Sequence, residues 1–376
     1  MTHACEPLEN RIRRFPRHYQ RRLRKLVKGP RQLKDLAFSF PAALFVLAAG
    51  NRSPEARARG VTLVKGGKPL AAIAEALALP MWTRQVPPEA LGAPFGTLPD
   101  NADFNRRVVN LIPRAEDANA GWLASVSFGA DACGEAMALW LAGQRLHGWD
   151  KSDGAFLLPV AAFIWFSQRR DEAAHQLIGK PWQKTMSFAK VVDETRVWIE
   201  RIILDYCFED DGTGGGWFKV RKSCGFRIVP LRTAAELRAE GERMSNCVGS
   251  YAKQVAEGRC LIYAIQRGSR SVATLEVVAD LARPGAGRLA QLEGPGNMPA
   301  LEPVVRAAKT WMAKQGRFPL MGKATLAQIP VRQSRWDRIW RSYREAKPAF
   351  ALMLEATPDA VRRLCSNLDR MDSQSC

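Results

Sequence analysis

The sequence predicts an α+β protein: a helical N-terminal domain, then a small antiparallel-sheet domain with flanking helices, then a basic helical C-terminal tail. Three observations carry this. Residues 131–206 show helical apolar spacing, with tryptophans at 140, 149, 165, 182 and 198 placed to anchor helices to one another. Beyond a glycine-rich break, EDDGTGGG at 209–216, the pattern changes to short β-branched and aromatic runs separated by turn residues. The 376 residues are 47% hydrophobic, a composition that folds and can fill two or three domains. The expected divisions are 1–36 (basic helical segment), 37–208 (mainly helical), 217–315 (α+β) and 316–376 (basic helical tail).

Taken in order, residues 16–28 predict an amphipathic helix, with Pro16 suited to its start and Gly29 to its stop. Tyr19, Leu23, Leu26 and Val27 form its apolar face, and basic residues occupy the rest. The two longest apolar stretches, 37–49 and 155–166, are shorter than the roughly 20 residues a bilayer crossing needs. Each contains a proline, and both are expected as buried helices. Residues 83–100, rich in proline and glycine, read as a loop or linker. The glycines of 209–216 lack the spacing that cradles phosphate, so a turn is expected there and not a nucleotide site. WFKV (217–220) and FRIV (226–229) flank KSCG as a candidate hairpin. In 331–347, Trp336, Trp340 and Tyr343 share one helix face, which reads as core in preference to a platform for stacking bases.

The net charge is +19, and it is concentrated. Residues 11–34 carry eleven Lys or Arg and no acid, and residues 311–347 carry nine basic and two acidic residues. Charge gathered in this way faces a polyanion, most often nucleic acid and sometimes an anionic membrane surface. Arg13, Arg14, Arg17, Arg21, Arg22, Arg24 and Lys25 in the first segment, with Arg335, Arg338 and Arg341 in the second, are the candidate contacts, DNA or RNA. Eight scattered cysteines without a CxxC pair, and four histidines at no ligand-like spacing, argue against a metal site or a disulfide framework. No cofactor is expected. MTHACEPLEN lacks the apolar core of a signal peptide, so a cytoplasmic location is expected.

The stretch MSNCVGSY, 244–251, concentrates the chemistry. Thr233-Ala-Ala-Glu236 has capping-box spacing and opens one helix; Ser245 and Asn246 then cap a second, which Gly258 ends. Cys247 would sit in the first turn, where free N–H groups favour a thiolate, with Tyr251 four places on along the same face. CLIYAIQ (260–266), SVATLEVV (271–278) and RLAQLE (288–293) read as three strands, and Asn297 as the cap of a following amphipathic helix. The helices opened by Asn246 and Asn297 are expected on one face of the sheet. Alternation places Val272, Thr274, Glu276 and Val278 on one strand face, and Leu289 with Gln291 on another. Glu276 and Gln291 are therefore polar groups among apolar neighbours, either bonded within the fold or facing a cleft.

These elements in this order resemble the PcfJ-like family, which takes its name from a protein of a conjugative plasmid. The matching residues are Glu240, Met244, Cys247, Val248, Gly249, Tyr251, Gly258, Thr274, Glu276, Gln291, Gly294, Gly296 and Asn297, within about 217–313. The family's most regular element is His-Cys-Val, and Asn246 stands at the histidine position here. Asn can orient or cap but takes up no proton near neutral pH, so a Cys–His mechanism would need another base. The resemblance implies an accessory protein of plasmid, phage or other mobile-element systems, with protein partners from those systems. Two further readings stand beside it. One is an enzyme with Cys247 as nucleophile, Glu276 as acid or base, and Asn246, Tyr251, Thr274, Gln291 and Asn297 around the pocket. The other is a protein-interaction module.

Overall fold

The computed structural model describes residues 7–50, 52–144, 157–207, 217, 219–319 and 331–350. The expected break at 209–216, Trp149 and His147 lie outside these residues. Six helices open the chain: α1 (Leu8–Arg13), α2 (Arg17–Val27), α3 (Arg31–Ser39), α4 (Pro41–Ala49), α5 (Pro54–Lys65) and α6 (Leu70–Ala76). The apolar stretch 37–49 does not form one rod, because Phe40 leaves helical geometry just before Pro41, and α3 and α4 diverge by 119°. Helix α4 is apolar around its circumference and buried from Pro41 to Leu47, so it forms the centre on which the others pack. Among the described residues no single helix is long and apolar enough to cross a membrane.

Residues 83–100, expected as a linker, are held against the same core through Val86, Ala90, Leu91, Phe95 and Leu98. Their prolines set short 3-10 turns, and the apolar residues between them are buried. Next come α7 (Ala102–Val108), α8 (Trp122–Ala132), α9 (Glu135–Ala142), α10 (Leu158–Ser167), α11 (Ala173–Gln176) and α12 (Phe188–Arg201). Helix α10 is the second expected buried helix, enclosed from Leu158 to Phe166. Trp140, Trp165, Trp182 and Trp198 are core residues, and the Trp140 and Trp198 indoles donate to the carbonyls of Met186 and Ala174 at 2.8 Å.

The sheet has five strands: β1 (Arg221–Ser223), β2 (Phe226–Leu231), β3 (Leu261–Arg267), β4 (Arg270–Ala279) and β5 (Gly287–Glu293). They lie in sequence order, every neighbour antiparallel. The first strand is RKS and not WFKV. Cys224 and Gly225, both at positive φ, make a two-residue turn, and this register pairs Ser223 with Phe226. Between β2 and β3 the chain inserts α13 (Ala234–Met244), a 3-10 turn over Cys247–Tyr251, and α14 (Ala252–Ala256). Helix α15 (Glu302–Met312) follows the sheet, and α16 (Gln333–Ala346) closes the described chain.

The two helical layers lie on opposite faces of the sheet, contrary to the expectation of a shared face. Val304, Ala308 and Trp311 of α15 pack with Leu261, Tyr263, Ile265, Leu275 and Val277. Leu237 of α13, with Val248 and Val255, packs with Ile262 and Ala264. Alternation along β3 sends odd-numbered residues to one helical layer and even-numbered residues to the other, so both strand faces are apolar and both need a cover. Helix α16 buries Trp336, Trp340 and Tyr343 completely or nearly so, against Trp165, Phe166 and Trp198. Its aromatic stripe is core, and no ring is free to stack on a base.

Candidate functional site

The capping box at Thr233 is present: its hydroxyl accepts from the Glu236 N–H, and the Glu236 carboxylate accepts from the Thr233 N–H. Helix α13 then stops because Ser245 turns left-handed at φ 51°, and the Asn246 N–H donates to the Gly241 carbonyl at 3.1 Å. The next turn lies directly on α13. A Cβ at Gly241 would stand 3.1 Å from the Gly249 nitrogen and 3.2 Å from the Asn246 carbonyl oxygen, so any larger residue would push these two backbone segments apart by a few tenths of an ångström. Cys247 begins that turn as expected, but the first five residues are 3-10, and α-geometry starts only at Ala252. Gly258, at φ 70°, follows the end of α14.

Asn246 does two jobs. Its Oδ1 accepts from the Val248 N–H at 3.2 Å, capping the turn, and its Nδ2 donates to Thr274 Oγ1 at 2.6 Å. The first bond starts the turn, and the second fastens it to β4. Tyr251 reaches the next strand, its hydroxyl donating to Gln291 Oε1 at 3.1 Å. Glu276 and Gln291 are direct partners across β4 and β5. Between these anchors lies a small open pocket, lined by Asn246, Cys247, Tyr251, Thr274, Glu276 and Gln291 among others. Val248 and Ile262 add apolar surface, and Glu293 a second carboxylate.

Two β-bulges decide which side chains reach the pocket. A shift in pairing at Ile265/Gln266 places Val272 with Ala273 against α15, while Ser271 bonds to α13 on the other face. A second shift at Glu276/Val277 sends Leu289 to the α15 side and leaves Gln291 beside Glu276. Val272 therefore leaves the face of Thr274 and Glu276, and Leu289 leaves that of Gln291, contrary to simple alternation. Asn297 also departs from expectation. It occupies an exposed 3-10 turn at φ 58°, outside the pocket, and Leu301 is the residue before α15.

The electrostatics are those of a partly enclosed acidic hollow. Burial lifts the Glu276 carboxyl above its ordinary value; Arg288 opposes the shift, and Glu293 adds to it. The Tyr251 hydroxyl is raised by burial and then by the charge of Glu276, which disfavours its ionised form. Cys260, buried behind the pocket, is pushed up to about 12 by burial and by Glu276. Cys247 is exposed. Lys253 is directed away and pairs with Glu200 at 3.4 Å, and His175 Nδ1 bonds the Phe166 carbonyl within the helical core. Neither supplies the base that Asn246 cannot. Among the described residues no group of three or more His, Cys, Asp or Glu could hold a metal ion.

Sequence reasoning missed two acids here. Glu293 is two residues from Gln291 on the same strand, so the alternation that placed Gln291 also pointed to it. Glu240 was noted only as a matching residue. It is fully buried, its Oε2 accepting from Ser271 Oγ at 3.0 Å and Arg243 Nη2 at 2.6 Å, with no partner for Oε1 among the described residues. It joins α13 to the bulged start of β4; its spacing of three from Leu237 and four from Met244 put it on the buried face of the helix, unlike the exposed Glu242.

The basic segments give a second candidate site. Tyr19, Leu23 and Val27 seat α2 on the core, with Tyr19 edge-on to Phe45 at 4.8 Å. Arg13, Arg14 and Arg24 are ion-paired internally, with Glu9, Glu89 and Glu9 respectively. Arg17, Arg21, Arg22, Lys25 and Lys28 remain exposed, with no acidic partner among the described residues. At about 100° per residue these five cover the face opposite the buried stripe. In α16, Arg335 donates to the Tyr206 carbonyl, while Arg338 and Arg341 are exposed.

Sheet, inserted helices and pocket together define an α+β domain built around the 246–293 hollow. Residues 219–302 match the family described as PcfJ-like protein, so the resemblance seen in the sequence holds over this segment. No curated protein and no solved structure matches the chain. Every pocket-lining residue falls inside the matched segment, and α2 and α16 fall outside it.

Proposed function

We propose that this is a PcfJ-like accessory protein that associates with nucleic acid through the exposed face of α2, with α16 as a secondary contact. The observation that carries the reading is the division of labour on α2. Its apolar residues are spent on docking, and four of its cations, with Lys28 just past its end, are left facing solvent without acidic partners among the described residues. Like charges on adjacent helix turns destabilise the free helix by about 0.2–0.5 kcal/mol per pair, a cost that an approaching polyanion removes. A plasmid, phage or other mobile-element setting, with protein partners from such a system, is supported by the family resemblance alone. Anisotropy with labelled single- and double-stranded oligonucleotides tests the association. The triple variant Arg17→Gln/Arg21→Gln/Lys25→Gln is expected to bind far more weakly than wild type. Equal affinity would remove α2 as the interface.

A second reading, cysteine-dependent chemistry, is favoured by one observation: the exposed Cys247 sulfur shares a pocket with Tyr251 and Glu276. Cys224 is also an exposed free thiol, on the β1–β2 turn, and gives the internal comparison. Alkylation of Cys247 well ahead of Cys224 at neutral pH supports this reading, and equal rates dismiss it.

A further inference from the structure

The pocket has more hydrogen-bond acceptors than the fold uses. Asn246 spends both ends of its amide, on the Val248 N–H and on Thr274, and the Tyr251 hydroxyl is spent on Gln291 Oε1. These bonds fix the walls. What remains open is unequal: the carboxylates of Glu276 and Glu293 have no hydrogen-bond or ion-pair partner among the described residues, against one hydroxyl proton on Thr274 and the amide protons of Gln291. Arg288, the cation felt by Glu276, is exposed and does not line the pocket. Val248 and Ile262 give the hollow an apolar side.

From this balance we infer that the pocket binds the cationic head of an organic ligand, a guanidinium or primary ammonium, seated between Glu276 and Glu293. A guanidinium presents five N–H donors and an ammonium three, and neither carries an acceptor, so each complements the unspent carboxylate oxygens. An anion would meet two negative groups in a partly desolvated site, and a neutral apolar group would leave both carboxylates without partners. The ligand's stem would lie on Val248 and Ile262, and the bound head would stand next to Cys247. The inference is independent of nucleic-acid association, since α2 contributes nothing to the pocket.

The test uses the full chain and three probes: ethylguanidinium, n-butylammonium, and a tetrapeptide carrying one central arginine, with acetate as the anionic control. Binding is read by calorimetry and by protection of Cys247 from alkylation, with Cys224 as the unprotected reference. At least one cationic probe is expected to saturate and slow Cys247 alkylation fivefold or more. Glu276→Gln/Glu293→Gln should lose both effects while keeping the wild-type circular dichroism spectrum, and Glu276→Gln alone should lose them in part. A tetrapeptide that binds more tightly than ethylguanidinium assigns the head to a peptide side chain, and equal affinity assigns it to a small free cation. The inference is overturned if no cationic probe protects Cys247, if acetate protects it equally, or if the double variant responds as wild type does.

Discussion

Replacing Asn246 by alanine removes two bonds at once, and their sizes can be worked separately. Loss of the Oδ1 cap on the Val248 N–H costs about 1 kcal/mol. Loss of the Nδ2 bond to Thr274, a residue only 7% exposed, costs about another 1 kcal/mol or somewhat more. The expected total is about 2–3 kcal/mol. Thr274→Val removes only the second bond, so a double-mutant cycle should return a coupling of about 1 kcal/mol between the two positions. The chain has several helical and sheet cores, and one global transition would average over them. Native-state hydrogen exchange of the Val248 and Tyr251 amides instead reports the opening of this turn. A coupling indistinguishable from zero would refute the claim that Asn246 ties the turn to β4. An Asn246→Ala loss no larger than that of Thr274→Val would refute the cap.

Three further outcomes follow from particular contacts. Because burial raises the Glu276 pKa above 4.5, the folded form holds its proton to higher pH than the unfolded form. The Glu276 contribution to stability should therefore fall as pH rises from 4.5 through the folded value, so Glu276→Gln should be more stable than wild type above that window and equal to it below, as read from the difference in urea midpoints across pH. Gly241→Ala should cost about 1–3 kcal/mol, because its Cβ meets the backbone of Asn246 and Gly249 and not a flexible side chain; thermal melting and Cys247 alkylation should both report a loosened turn. Trp340→Ala should cost about 3–5 kcal/mol, with loss of soluble folded protein, since the ring is fully buried between Trp198, Phe166 and Trp336.

What the sequence disclosed and what it withheld follow from the range of the interactions involved. The α2 face, the capping box at Thr233, the core role of Trp340 and the pairing of Cys247 with Tyr251 are local, and spacing alone expresses them. Val272, Leu289 and Asn297 went astray for a different reason. Bulges on β4 and β5 reverse the face of a residue without leaving a compositional mark, and Asn297 follows Gly296, where two left-handed residues make a turn and not a helix start. The 3-10 geometry after Asn246 depends on how closely Gly241 and Gly249 let two segments approach, a tertiary fact. That α13 and α15 cover opposite faces could have been read from β3, whose run LIYAI is apolar on both sides.

The salt dependence of oligonucleotide affinity tests the nucleic-acid reading most directly. If Arg17, Arg21, Arg22, Lys25 and Lys28 each neutralise one duplex phosphate, the log–log slope is about −4.5, or an affinity loss of about 500-fold between 50 and 200 mM salt. With Arg17, Arg21 and Lys25 changed to glutamine, the slope should fall to about −1.8, and the loss over the same range to about 12-fold. A wild-type slope near zero, or an unchanged slope in the triple variant, would contradict the account.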